Sequence, residues 1–188
     1  MLKNNLLSIK NLDFSFEHSI VKIVANRNHP EIKLAGITIG PFVEGNEYEV
    51  YYWIAEELEK TSIAHFREQQ LDVSKLYKIQ WTERVQTAGQ VSKLPEHFYP
   101  QLRRCLKKLK KETNKNSEKL REYEKIKQLT LDIVNSRLKK IVSIASTITP
   151  TEQVLKNLVE EERLLYNKLY RFINEWRSQI TFHEGSDS

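Results

Sequence analysis

The sequence predicts an α+β fold: a small N-terminal β-rich domain, then a mainly α-helical bundle closing on two long helices. Three features of the 188 residues predict it. Apolar residues recur at steps of three and four through the last third of the chain. β-Branched residues cluster in short runs near its start. Only five glycines and five prolines leave little room for linkers.

The helical end is the better defined. Leu120, Tyr123, Ile126, Leu129, Ile133, Val134, Leu138, Ile141, Val142 and Ala145 keep to one broad helical face. Thr149-Pro150-Thr151-Glu152 then reads as an N-cap threonine, a proline at the first helical position and a capping-box glutamate. The helix it opens carries Leu155, Leu158, Leu165, Leu169, Phe172 and Trp176, with Glu162 the one polar residue on that stripe. Each helix should span roughly 28 residues, or roughly 42 Å. A short turn between them predicts antiparallel packing. Helices of that length exceed what a small core needs, so part of their surface is expected to meet a partner.

Residues 6–42 read as β. Leu12, Phe14 and Phe16 alternate with polar residues at period two, and Ile20 to Ala25 and Ile32 to Ile39 supply two further runs. Asn26 to Pro30 is a turn signal, and Gly40-Pro41 and Gly45-Asn46 close this part. From Glu49 the pattern turns helical, with Val50, Trp53, Ile54 and Leu58 on one face to about Lys60. Ser62 to Phe66 reads as an extended link. Asp72 is placed to cap a helix bearing Leu76, Ile79 and Trp81. Leu94 to Pro100 opens the next helix, with Phe98, Leu102, Cys105, Leu106 and Leu109 on one side. Lys110 to Asn116 holds no apolar residue and is expected to be an exposed connection. The expected domains are therefore 1–46, β-rich, and 47–182, helical, with a polar tail at 183–188.

Composition removes several function classes. No apolar run approaches the ~20 residues of a membrane span, and the first ten residues lack a signal-peptide core. A single cysteine, Cys105, excludes an intramolecular disulfide and fits a reducing cytoplasm. The five histidines are scattered without ligand spacing, and no phosphate loop, nucleophile elbow or dinucleotide fingerprint is present. Glu160-Glu161-Glu162 places at most two carboxylates on one helical face. The expectation is a protein that is not an enzyme and needs no cofactor or metal.

Two surface signals remain. The net charge is only +5, yet residues 103–140 hold 14 Lys/Arg against 5 Asp/Glu. Arg103, Arg104, Lys107, Lys108, Lys110, Lys111, Lys115 and Lys119 form a candidate contact for phosphates or an acidic partner. The same cations would equally serve as a solubilising face near a helix C-terminus. The segment lacks the interleaved aromatics that stack on single strands. The second signal is aromatic: Tyr166 and Tyr170, one turn apart and off the main stripe, are expected to face outward. With Tyr123, Ile133, Leu158, Leu165 and Trp176 they form the candidate subunit interface.

Three further motifs carry a family resemblance. They are Gly40-Pro41-Phe42, a helix containing Trp53-Ile54-Ala55, and Pro95 followed by Phe98-Tyr99. In their order and spacing, ahead of two long helices, the chain resembles the GINS family of replication proteins over roughly residues 20–180. It departs at Tyr51-Tyr52, where the family usually has Leu-Pro or Val-Pro. The β-first order is similar to that of the second and third Psf subunits and their archaeal "two-three" counterpart. Small size and lysine richness favour an archaeal member. The resemblance implies a GINS-type bundle and a non-catalytic subunit that pairs with the opposite-domain-order subunit in a 2:2 heterotetramer. That complex would bind the MCM helicase and a RecJ-like (Cdc-type) protein at the replication fork. A free-standing nucleic-acid-binding protein using residues 103–119 is the alternative, and weak DNA contact inside a GINS complex would reconcile the two.

Overall fold

The computed structural model describes residues 2–34, 36–68, 71–87, 89–113, 117–148 and 151–181, and the side chains of these from residue 9 onward. The chain divides into two compact units, Met1–Asp72 and Val73–Ser188.

The first unit opens on a helix, α1 (Leu2–Glu17), where a strand was expected from Leu12 to Phe16. Burial shows why the alternation misleads. Phe16 is 2% exposed and Phe14 is 62% exposed, although two residues apart on a strand share a face. On a helix they lie far apart, and Phe16 joins half-buried Leu12 one turn earlier. Five strands follow: β1 (Ile20–Ala25), β2 (Ile32–Leu34), β3 (Ile37–Ile39), β4 (Glu47–Tyr51) and β5 (Ala64–Phe66). β1 is central in an antiparallel sheet of order β4-β1-β5, with Ile23 opposite both Tyr48 and Phe66. β2 and β3 form a separate hairpin, so the run Ile32 to Ile39 is two strands. Glu49 to Tyr51, expected in a helix, completes β4, because its alternating burial fits the edge of β1.

The helix α2 (Tyr52–Lys60) therefore starts later than expected. Its Ile54, Ala55 and Leu58 are buried with Ile23, Ala25, Phe42 and Ala64 in one core. Without α2 the sheet would have one bare apolar face. The expected boundary at residue 46 thus falls inside this unit, and the structural boundary lies at Asp72.

The second unit is helical: α3 (Val73–Val85), α4 (Phe98–Glu112), α5 (Ser117–Ala145), α6 (Glu152–Lys156) and α7 (Glu160–Thr181). α3 begins directly after Asp72, with Leu76 fully buried and Trp81 largely exposed. α4 continues through Lys110, Lys111 and Glu112, part of the expected connection, because lysine and glutamate are good helix formers. α5 has 29 residues, as its periodicity predicts. The last helix does not run unbroken: a turn after Asn157 separates α6 from the 22-residue α7. Thr151 is in the N-cap position of α6 and Glu152 is its first residue, two residues later in the chain than the predicted capping box. Thr149, Pro150 and residues 183–188 lie outside the described residues.

α5 and α7 also do not pair antiparallel. Their contacts ascend together: Glu162 meets Arg137, Tyr166 shares a core with Ile141, Ile144 and Ala145, and Arg177 reaches the Ser146 carbonyl. The two helices therefore run in the same sense where they touch, with α6 between them in the chain.

Candidate subunit interface and the charge cluster behind it

What sets the rotation of α7 is a buried ionic cluster that lies wholly in the second unit. Arg137 projects from the core face of α5 and is fully buried. Its Nη2 donates to Glu162 Oε2 at 2.6 Å and its Nε to Glu162 Oε1, a two-pronged grip on one carboxylate. Its Nη1 donates to Glu83 Oε1 at 2.7 Å and to the Ser92 carbonyl at 2.9 Å. Lys140, one turn on, donates to Glu83 Oε2 at 2.7 Å and to the Glu83 carbonyl at 2.8 Å. The Ser92 hydroxyl donates to Glu83, and the Tyr99 hydroxyl to Glu162 Oε1 at 2.7 Å. Two cations thus meet two anions, and each charge has several partners, the condition under which buried charges are tolerated.

Position on the helices matters here. Glu162 is the third residue of α7 and accepts the Val159 N–H at 3.3 Å, so one carboxylate both caps the helix and binds Arg137. Glu160 and Glu161 share that positive helix end. Burial opposes ionisation of Glu83, but the Lys140 and Ser92 hydrogen bonds and the Arg137 and Lys140 charges outweigh it. They hold its pKa below the ordinary 4.5. Burial likewise opposes the Arg137 charge, yet the Glu162 hydrogen bond and charge leave its pKa raised. Tyr99 is pushed up by burial and by the adjacent Glu162 carboxylate, so its hydroxyl stays a donor.

With Glu162 turned inward, Tyr166, Leu169, Tyr170 and Ile173 follow onto the core of Val91, Ile141, Ile144, Ala145 and Leu158. The Tyr166 and Tyr170 rings stack at 5.6 Å, and Tyr170 donates to the Ile148 carbonyl. This corrects part of the expected interface. Tyr166, Leu158 and Ile133 are buried inside the chain itself, Tyr170 and Tyr123 are half-buried, and only Leu165 and Trp176 lie outside. The spacing of apolar residues along a helix does not reveal which edge of the stripe turns inward, and the ionic grip on Glu162 decides it.

The outward surface left behind is apolar. On α7, Leu165, Phe172 and Trp176 are exposed, and Ile180 is 64% exposed where the helix outruns its own core. On α5, Leu120, Leu131, Leu138 and Val142 lie on the side opposite Ile133, Arg137 and Ile144, all four exposed by two fifths or more. A helix apolar on two opposite sides is suited to burial on both.

The basic segment is less available than its composition suggests. Arg103 pairs with Glu161 at 3.2 Å, Lys119 with Glu122 at 2.9 Å, and Arg104 is half-buried. Lys107, Lys108, Lys110 and Lys111 are exposed, and Lys115 lies outside the described residues. Arg137 and Lys140, part of the 103–140 excess, belong to the buried cluster.

The motif residues hold structural positions. Gly40 adopts φ +87°, and a Cβ there would come within 3.1 Å of the Phe42 ring, so glycine is needed to seat Phe42 in the sheet core. Pro41 follows it through a cis peptide. Trp53 packs half-buried on the same core. The Pro95 carbonyl accepts the Phe98 N–H at 3.2 Å, Phe98 is fully buried, and Tyr99 reaches Glu162. Among the described residues no cluster of His, Cys, Asp and Glu is arranged to hold a metal, and no helix is long and apolar enough to cross a membrane.

A small β unit, a helical unit with an ionic core and long helices with uncovered apolar sides define a subunit of a larger assembly. Comparison with protein families agrees. Residues 70–181 match the GINS complex protein helical bundle domain, and residues 8–66 match the PSF2 N-terminal domain. The chain belongs to the GINS family, whose members are non-catalytic subunits of a replication complex and associate with one another. The two matches part beside Asp72, where the structure divides. No curated protein matches the sequence.

Proposed function

We propose that this chain is a GINS subunit of the two-three type, in the Psf two/Psf three branch and from an archaeal source. It pairs with the subunit of opposite domain order in a 2:2 heterotetramer. That tetramer scaffolds and activates the MCM replicative helicase with a RecJ/Cdc-type partner at the cytoplasmic replication fork. The observation that carries the reading is the second apolar side of α5, joined by the exposed stripe of α7. Exposed rows of Leu, Phe and Trp on long helices mark surfaces to be covered. The match of residues 8–66 to a PSF2 N-terminal domain supports the β-first branch.

Light scattering on a sizing column tests it, on the chain alone and coexpressed with an opposite-order GINS subunit. A two-plus-two assembly formed only on coexpression is expected. Once formed, that assembly is the species on which binding to MCM is measured; a chain that stays monomeric beside the opposite-order subunit would remove the proposal.

A further inference from the structure

The solvent side of α3 carries a signal separate from the α5 and α7 stripes assigned above to subunit pairing. Tyr77, Trp81 and Val85 stand at i, i+4 and i+8, and Lys78 and Arg84 flank Trp81 three residues to either side. All five are exposed, Trp81 to 71%. The opposite side is fixed: Leu76 is fully buried and Glu83 is locked to Arg137 and Lys140. The aromatic rings are therefore presented by a helix of set rotation. α5 extends the surface, with the Lys125 ammonium 5.2 Å from the centre of the Tyr77 ring. Gln80 ties the two helices by donating to Asp132 at 2.8 Å. The outward side of α3 holds no carboxylate, since Glu83, its one acidic residue, is buried.

An indole left mostly in water adds little to the fold, and here it stands between Lys78 and Arg84 on its own helix, with Lys125 against the neighbouring Tyr77 ring. Trp81 and Tyr77 are separated by one helical turn, about 6 Å along the axis. A single strand offers a phosphate and a base at each nucleotide, the same alternation of charge and ring that α3 displays. An acidic polypeptide would match the cations, and would meet the rings only where it also carried apolar side chains among its carboxylates, whereas a single strand supplies both at every nucleotide. The basic segment on α4 shows the converse, with cations and no aromatic among them.

We propose that this side of α3 binds single-stranded nucleic acid, Trp81 and Tyr77 stacking on bases while Lys78, Arg84 and Lys125 contact phosphates.

The test is fluorescence anisotropy of a labelled oligothymidylate titrated with the full chain at several salt concentrations. Trp81→Ala should weaken binding at least about fivefold, and Trp81→Phe should keep most of it. Lys78→Gln and Arg84→Gln should each flatten the slope of log K against log salt by about 0.7. Lys107→Gln with Lys110→Gln and Lys111→Gln should leave affinity unchanged. The exposed position of Trp81 means Trp81→Ala should melt with the wild type, which separates lost binding from lost folding. Absence of oligothymidylate binding at low salt, or equal binding by Trp81→Ala, would overturn the proposal. Competition by polyglutamate as effective as that by unlabelled oligothymidylate would also overturn it, assigning the surface to an acidic protein.

Discussion

Arg137 joins α5 to Glu83 on α3, to the Ser92 carbonyl and to Glu162 on α7, and its removal would leave the buried Glu162 carboxylate without its cation and Glu83 with Lys140 alone. Arg137→Ala is expected to cost about 3–5 kcal/mol of unfolding free energy in a denaturant titration. Tyr99→Phe removes one hydrogen bond to a buried carboxylate and should cost about 1.5–3 kcal/mol. That gives the tyrosine of the Pro95-Phe98-Tyr99 motif a physical role. The lowered Glu83 pKa also predicts acid sensitivity. Its stabilising contribution is complete above the unfolded value near 4.5 and is lost as pH falls through the lower folded value. Stability measured from pH 6 downward should therefore drop below about 4.5, and Glu83→Gln, already destabilised, should show a shallower drop. Part of this cluster was legible: Glu162 interrupts an otherwise apolar stripe, which marks a buried polar residue with a partner. Arg137 and Lys140 were not, because composition counts a buried cation as surface charge.

At the scale of elements, periodicity succeeded where it ran long. Ten apolar positions define α5, whereas Leu12, Phe14 and Phe16 are too few to separate strand from helix. A mutation pair checks the helical assignment. Phe16→Ala should cost about 3–5 kcal/mol by loss of core packing, while Phe14→Ser should stay within about 0.5 kcal/mol. A strand would make both costly. The break before α7 and its contact sense were not legible, since they depend on Glu162 finding Arg137 across a sequence separation of 25 residues. The boundary error has a similar origin: α2 reads as the first of a series of helices, yet its apolar face completes the sheet core.

For the whole molecule, what was legible was the order of parts and the family. The motif Gly40-Pro41-Phe42 names a turn, and the two family matches fall on the two structural units. The interface was legible only as a surplus of apolar helix: burial takes Tyr166, Leu158 and Ile133 out of the expected set, leaves Leu165 and Trp176 in it, and adds Phe172 and the outer side of α5 to the surface proposed for pairing. Coexpression of Phe172→Glu with Trp176→Glu in one chain, beside the opposite-order subunit, tests that claim most directly. Both side chains are exposed in the lone chain, so its melting should move by no more than about 0.5 kcal/mol equivalent. Loss of two aromatic anchors should cost about 2 kcal/mol or more each in association. Light scattering is expected to find the subunits separate, each of its own mass. A double variant that assembles like the wild type would contradict the interface assigned to α7 and α5.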